Sequence, residues 1–280
     1  MEVTIRTRPV TASAYTRSNK GTLMKDLQFL QCQTDQKIGT VWLTRPPVNA
    51  VTREMYAEIK WFFTHTEEYL PEARAIVLTG AGKHFCGGND LTEFQTMTPE
   101  NAGERMLAVR EAFWSIYDCP LPVIAAVHGV AVGTGLALAA SCDLVVAAKG
   151  ATFTLPEVNV GVMGGAKHAS RLVPQQLVRY LHLTGESLSA EELAQQGGVL
   201  KVVDPDQLLD VAYDVAAKMV RHSPVTLRFA KRSLNAIEYQ DLKGGYEFEQ
   251  GLSGELSAYS DAKEAVAAFF EHRAPAYTGA

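Results

Sequence analysis

Apolar runs of strand length alternate with amphipathic helical patterns through most of this chain. Continuous apolar runs at 75–79, 123–127 and 144–148 predict buried strands. Between such runs, residues 53–68 and 101–119 repeat apolar side chains at helical spacing. The alternation predicts an α/β fold built around one buried core.

The remaining segments complete this picture. Two strands between Leu27 and Arg45 form a predicted hairpin, and a short strand at 84–86 precedes a glycine turn. One continuous helix is predicted over 166–184 and a last strand over 199–203. After that strand the pattern is only helical, and it predicts helices at 206–221, 224–239 and about 246–271.

The predicted domain organisation has three parts. Residues 1–25 are rich in Ser, Thr and basic residues and have Glu2 as their acid, which is a composition found in transit peptides. They lack an amphipathic face, so we favour a disordered tail, or a start at Met24. Residues 26–205 are predicted to form the core and residues 206–280 a helical C-terminal region.

Small residues are concentrated in His128–Asp143, which follows a predicted strand and turns helical near Gly135. A strand, a tight glycine turn and a helix start leave backbone N–H groups free, and such groups favour negative charge. The same pattern is also typical of a glycine-rich helix packed in a core.

Composition narrows the function classes. The chain has 280 residues, of which 47% are hydrophobic and 20% charged, and a net charge of −5. It has no basic stripe and no apolar run of membrane-spanning length, so we expect neither a nucleic-acid nor a membrane partner. The four cysteines form no CxxC pair, which favours reduced thiols over disulfides or a metal site. We expect a cytoplasmic protein without a bound metal.

Seven short motifs, taken together and in order, resemble the crotonase family, the enoyl-CoA hydratases and isomerases. The resemblance extends over about residues 26–277. The motifs are Thr44-Arg45-Pro46 with Asn49-Ala50, Val77–Gly80, His84–Leu91, His128–Asp143, Pro156-Glu157 to Gly161, Leu183–Glu186 and Phe270–Arg273.

The resemblance implies a spiral of strand–strand–helix units, a C-terminal helical region used for trimerisation, and trimers or dimers of trimers. It implies acyl-CoA thioesters as substrates, with coenzyme A as part of the substrate and no other cofactor. The family holds a thioester enolate with two backbone N–H groups, which by motif position belong here to Asn89 and Thr134. Such donors each contribute about 3 kcal/mol when charge develops on the oxygen.

The acid/base positions depart from those of the family's hydratases. Hydratases use two glutamates, and here Ala137 stands at the first position while Glu157 stands at the second. A 1,3-proton shift needs only one base, so the resemblance favours double-bond isomerisation with Glu157 as that base. Hydration with an atypical acid/base set, C–C cleavage or decarboxylation, and a catalytically weak acyl-CoA-binding relative are the alternatives.

By motif position, seven further residues are expected to contact the substrate. Lys83 and Arg273 are candidates for coenzyme A binding, and the roles of His84, Lys167 and His168 are left open. The seven are Lys83, Phe85, Gly87, Gly88, Gly133, Ala137 and Arg273.

Overall fold

A computed structural model describes residues 26–280, so the predicted tail at 1–25 lies outside the described residues. Within the described part, nine strands form two sheets. They are β1 (Leu30–Asp35), β2 (Ile38–Leu43), β3 (Ala75–Gly80), β4 (Val123–Val127), β5 (Val130–Val132), β6 (Leu144–Ala148), β7 (Thr152–Thr154), β8 (Ser187–Ser189) and β9 (Lys201–Val203).

The larger sheet has six strands in the order β1-β2-β3-β4-β6-β9. Strands β1 and β2 are the predicted antiparallel hairpin, and each later pair in this sheet is parallel. The smaller sheet has the order β5-β7-β8, so the chain leaves the larger sheet directly after β4. The mixed architecture confirms the predicted α/β fold class.

Helices cover the strands and make up the C-terminal region. Thr52 caps the first of them, because its side chain accepts a hydrogen bond from the Met55 N–H. The helices are α1 (Arg53–Thr64), α2 (Thr66–Tyr69), α3 (Pro99–Tyr117), α4 (Thr134–Ser141), α5 (Ala166–Ala169), α6 (Gln175–Thr184), α7 (Ala190–Gln195), α8 (Leu208–Val220), α9 (Pro224–Ile237), α10 (Leu242–Leu256) and α11 (Ser260–Phe270).

Both faces of the larger sheet are buried. Successive side chains of a strand point to opposite faces, so Ile76 and Leu78 join a core with residues of α1, α3 and α4, whereas Ala75 and Val77 pack with α8. This explains why the central strands β3, β4 and β6 are apolar at nearly every position rather than at alternate ones. Within residues 26–280, no helix is both long and apolar enough to cross a bilayer.

Three predicted elements are wrong in detail. Residues 84–86 are not a strand, because their pairing is limited to one bridge between Cys86 and Ala131. The helix predicted over 166–184 is two helices, since Pro174 lacks the N–H that a continuous helix needs. The helix predicted over about 246–271 is also two helices, α10 and α11. Asp261, near the start of α11, accepts a hydrogen bond from the Ser223 hydroxyl at 2.7 Å.

Candidate active site

The start of α4 lies directly against the loop at residues 84–88. Cys86 donates its N–H to the Val130 carbonyl at 3.1 Å and accepts from the Val132 N–H at 3.0 Å. A Cβ atom on Gly135 would lie 2.3 Å from the Cys86 carbonyl oxygen, so only glycine permits this approach. The absence of this one side chain therefore allows close contact between two segments whose contacting residues, Cys86 and Gly135, are 49 positions apart in sequence.

These loops include the backbone N–H groups of Asn89 and Thr134, and neither donates to an acceptor within residues 26–280. Hydrogen bonds of the neighbouring residues fix the position of the Asn89 N–H. Val51 donates to the Gly88 carbonyl at 2.8 Å, and Asp90 donates to the Val51 carbonyl at 2.9 Å. Free, preorganised donors of this kind stabilise an oxygen on which negative charge develops.

Glu157 lies on a short 3-10 helix, Pro156–Val160, and its side chain is buried, with 8% of the residue exposed. Its Oε2 atom is buried without a hydrogen-bond partner in the described structure. Gly133 has a φ of 51°, and a Cβ atom there would lie 2.8 Å from Glu157 Oε1. Burial raises the pKa of the Glu157 carboxyl above 4.5, which suits a general base.

One cavity, here called the Glu157 cavity, brings six of the predicted site residues together. Its lining also includes Arg45, whose guanidinium is paired with Asp90 at 2.7 Å. The six predicted residues are Gly87, Gly88, Asn89, Gly133, Thr134 and Glu157.

Four predicted contacts do not line this cavity within the chain. Phe85 and Ala137 are buried in the main core, at 0% and 1% exposure, so the prediction that they contact substrate is not supported. Lys83 is exposed at the surface. Arg273 pairs with Glu264 at 2.5 Å and also with Glu271. Coenzyme A binding by Lys83 and Arg273 stays a prediction.

The three residues with open roles also lie outside the Glu157 cavity lining. Lys167 places its ammonium 3.8 Å from the ring centre of Tyr239. The His168 ring contacts Phe113, and burial, reinforced by the nearby Arg171, lowers the pKa of His168 to about 4. His168 is therefore neutral at physiological pH and has no charge to offer an acyl group.

Tyr56 is the site residue that the sequence did not reveal. It lies on α1 and is 4% exposed, and its hydroxyl contacts the side chains of both Asn89 and Thr134, the latter at 2.5 Å. In sequence it falls within an apolar helical stripe, where a tyrosine is typical of a core residue. No local signal links it to loops 33 and 78 residues away.

A second cavity adjoins the first, and Asn89 and Phe94 line both. Most of its lining is apolar, which makes it a suitable place for an acyl chain. Its other residues are Val51, Arg53, Tyr56, Glu93, Met97, Arg105, Met106, Ala108 and Val109.

Comparisons with known proteins identify the family. The family model described as enoyl-CoA hydratase/isomerase matches residues 33–280. A Mycobacterium tuberculosis protein named (7aS)-7a-methyl-1,5-dioxo-2,3,5,6,7,7a-hexahydro-1H-indene-carboxyl-CoA hydrolase is 38% identical over 83% of this chain and 94% of its own length. The short-chain-enoyl-CoA hydratase of Clostridium acetobutylicum is 32% identical, over 89% of this chain and 97% of its own length.

The crystal structure of an enoyl-CoA hydratase from Bacillus anthracis superimposes with a TM-score of 0.83 at 29% identity. It matches 90% of this chain and 100% of its own. The match therefore includes the sheets, the glycine loops and the C-terminal helices described above. From its sequence, its fold and the arrangement of these loops, the chain belongs to the enoyl-CoA hydratase/isomerase family, the crotonases.

Proposed function

We propose that this acyl-CoA enzyme moves a double bond by a 1,3-proton shift, with Glu157 as its single base. The observation that carries the proposal is the Glu157 carboxylate, buried beside Gly133 with an unpartnered oxygen, in the same cavity as two free N–H groups. This is the pairing of base and anion-stabilising donors that enolate formation needs.

The proposed reaction has two proton transfers. Glu157 removes a proton from the carbon next to the thioester of a 3-enoyl-CoA, and the electron pair moves onto the thioester oxygen. The Asn89 and Thr134 N–H groups hold this oxygen as an enolate, each contributing about 3 kcal/mol. Glu157 then returns a proton to the far carbon of the original double bond, and the 2-enoyl-CoA product forms.

Hydration is the weaker alternative because it needs a second group that moves protons. Among the described residues lining the Glu157 cavity, the other carboxylate is Asp90. Hydrogen bonds from Thr92 and from Arg45 lower the pKa of Asp90, so it stays ionised and cannot donate a proton at neutral pH. The methyl group of Ala137 offers nothing in place of the missing glutamate.

The test follows the absorbance of the conjugated thioester with two substrates, a trans-3-enoyl-CoA and a trans-2-enoyl-CoA. We expect absorbance to rise with the first and to stay constant with the second. Loss of absorbance with the second would establish hydration and contradict the single-base mechanism.

Glu157→Gln removes the base and keeps the shape of the side chain. We expect it to lower kcat by about 10²–10⁴-fold while acyl-CoA binding persists. Glu72→Gln is the matched control, because Glu72 also follows a proline but lies exposed at the surface. Equal activity of the Glu157→Gln enzyme and the control would exclude Glu157 as the base.

A second candidate is C–C cleavage with water, and the name of the M. tuberculosis relative, a hydrolase of a dioxo acyl-CoA, favours it. Here Glu157 would take a proton from water as the water oxygen attacks an oxo carbon. The C–C bond then breaks, its electron pair forms the same thioester enolate, and the enolate carbon takes a proton. A cyclic 3-oxoacyl-CoA, 2-oxocyclohexanecarboxyl-CoA, would gain the mass of one water and open its ring.

We propose assembly as a homotrimer or a dimer of trimers, in the cytoplasm. Large apolar side chains exposed on the C-terminal helices support this, since a monomer would leave them in water. Light scattering should give three or six times the chain mass of 30.5 kDa, and a monomer would contradict it. These side chains include Leu234, Leu242, Phe269 and Phe270, at 62%, 88%, 74% and 75% exposure.

A further inference from the structure

We infer that the Asn89 side chain selects acyl groups with a hydrogen-bond-accepting oxygen on the carbon β to the thioester. The inference rests on the proposed function, because it takes the thioester oxygen to be held by the Asn89 N–H. It favours the second candidate reaction, C–C cleavage of a 3-oxoacyl-CoA, over isomerisation, because a 3-enoyl-CoA has no oxygen on that carbon. The observation behind it is the contact of the Tyr56 hydroxyl with the side chains of Asn89 and Thr134.

The direction of these hydrogen bonds follows from the chemistry of the three groups. The Asn89 Oδ1 atom can only accept, so Tyr56 must donate its one hydrogen to it. Tyr56 then accepts from the Thr134 hydroxyl, which lies at 2.5 Å. Burial raises the pKa of Tyr56 far above its ordinary value, so this hydrogen is always present.

The hydrogen bonds from Thr134 to Tyr56 and from Tyr56 to Asn89 fix the orientation of the Asn89 carboxamide. Tyr56 occupies Oδ1, and no side-chain hydrogen bond described within residues 26–280 uses the two hydrogens on Nδ2. Asn89 is half-buried and lines both the Glu157 cavity and the apolar cavity beside it. A donor without a partner at the junction of two cavities is a place for an acceptor on a ligand.

The position of this donor relative to the enolate oxygen defines the acyl group. The backbone N–H and the Nδ2 group belong to the same residue, so two substrate oxygens bound to them must be close together. A 3-oxoacyl thioester has this arrangement, because its two carbonyl oxygens are separated by three carbons. An unsubstituted acyl chain would leave the Nδ2 hydrogens desolvated without a partner, which is unfavourable.

The test compares binding of hexanoyl-CoA and 3-oxohexanoyl-CoA, measured by calorimetry in the Glu157→Gln background so that neither is turned over. We expect the 3-oxo compound to bind about tenfold more tightly, the equivalent of one hydrogen bond. Asn89→Leu should remove this preference, so that the two thioesters bind equally, because the Nδ2 donor is lost while the backbone N–H remains. Tyr56→Phe should reduce the preference, since the carboxamide is then free to rotate.

Asn159→Leu is the matched control, because Asn159 lines the same cavity but has no contact with Tyr56. It should keep the tenfold preference. Equal binding of the two thioesters by the Glu157→Gln protein that retains Asn89 would overturn the inference. The proposed acyl-CoA function would not be affected by that result. Failure of both thioesters to bind would instead contradict the proposed function. Asn89→Ala, with its smaller side chain, repeats the test if the leucine variant does not fold.

Discussion

The buried environment that suits Glu157 as a base also makes its ionised form destabilise the folded protein. The carboxyl is buried and Oε2 has no partner, so the folded state disfavours the ionised form and the pKa of Glu157 rises above 4.5. Below the unfolded pKa, both states are protonated and the folded state bears no cost. As the pH rises through the folded pKa, the cost develops fully and stability is lost.

Glu157→Gln should therefore stabilise the protein, and only at a pH where the carboxyl would be ionised. We expect the variant to melt a few degrees above the parent at about pH 8 and at the same temperature at about pH 4. Differential scanning calorimetry at the two pH values measures this, with Glu72→Gln as the unshifted control. A variant that melts below its parent at the higher pH would show that the ionised carboxylate has a stabilising partner.

The role of a single residue could be predicted only where a motif in the neighbouring sequence pointed to it. Gly133, Thr134 and Glu157 lie in glycine-rich or proline-containing motifs whose order along the chain could be read directly, and the structure brings them to one cavity. Tyr56 could not be found in this way, because its role comes from contacts across the fold rather than from its neighbours in sequence. The burial of Phe85 also comes from contacts across the fold, so its nearness to Gly87 in sequence did not indicate it.

The approach of α4 to the loop at residues 84–88 is the contact between elements on which the proposed oxyanion hole depends. The Cβ atom of any other residue at Gly135 would meet the Cys86 carbonyl at 2.3 Å and the Cys86 Cβ at 2.9 Å. Neither atom lies at the end of a flexible side chain, so α4 and the loop would have to separate. Asn89 and Thr134 lie on opposite sides of this contact.

Gly135→Ala should lower both stability and activity. We expect a loss of about 1–3 kcal/mol in the free energy of unfolding, as for other overpacked sites, and a larger fall in kcat than in acyl-CoA affinity. Gly103→Ala is the matched control in α3, where a Cβ atom meets nothing within 4 Å and alanine favours the helix. Unfolding in urea and steady-state kinetics measure the two effects. Full activity in Gly135→Ala would show that the hole does not depend on this contact.

Element prediction was best for the long, uniformly apolar strands. The predicted strands at 123–127 and 144–148 have the observed bounds of β4 and β6. Strands β5, β7 and β8 were missed, because three residues are too few for a periodic pattern. They form the smaller sheet, and their pairing depends on where the chain leaves the larger sheet.

The C-terminal helices are joined to the sheet by a buried ion pair. The Lys231 ammonium on α9 binds Asp143 at 2.8 Å and also donates to the carbonyls of Ile116 and Leu121. Asp143 accepts a further bond from the Val123 N–H at the start of β4. One lysine therefore connects α9, the end of α3 and the region that precedes β6.

Lys231→Met should weaken the whole fold, because it leaves the Asp143 carboxylate without its cation. We expect a loss of about 2–3 kcal/mol in unfolding free energy, less than for a fully buried pair since the Asp143 side chain keeps 21% exposure. Lys149→Met is the control, because its pair with Asp204 is exposed and solvent screens it, so the loss of stability should be much smaller. Equal losses in the two variants, measured by urea unfolding, would contradict this account.

The burial of Ala137 also bears on how this protein can change over evolutionary time. A glutamate there would restore the residue type of the two-carboxylate hydratases, and one codon change from alanine can supply it. Yet the Ala137 methyl group lies in the main core with 1% exposure, where a longer charged side chain is costly to bury. A second glutamate at this position would therefore require neighbouring core residues to become smaller first.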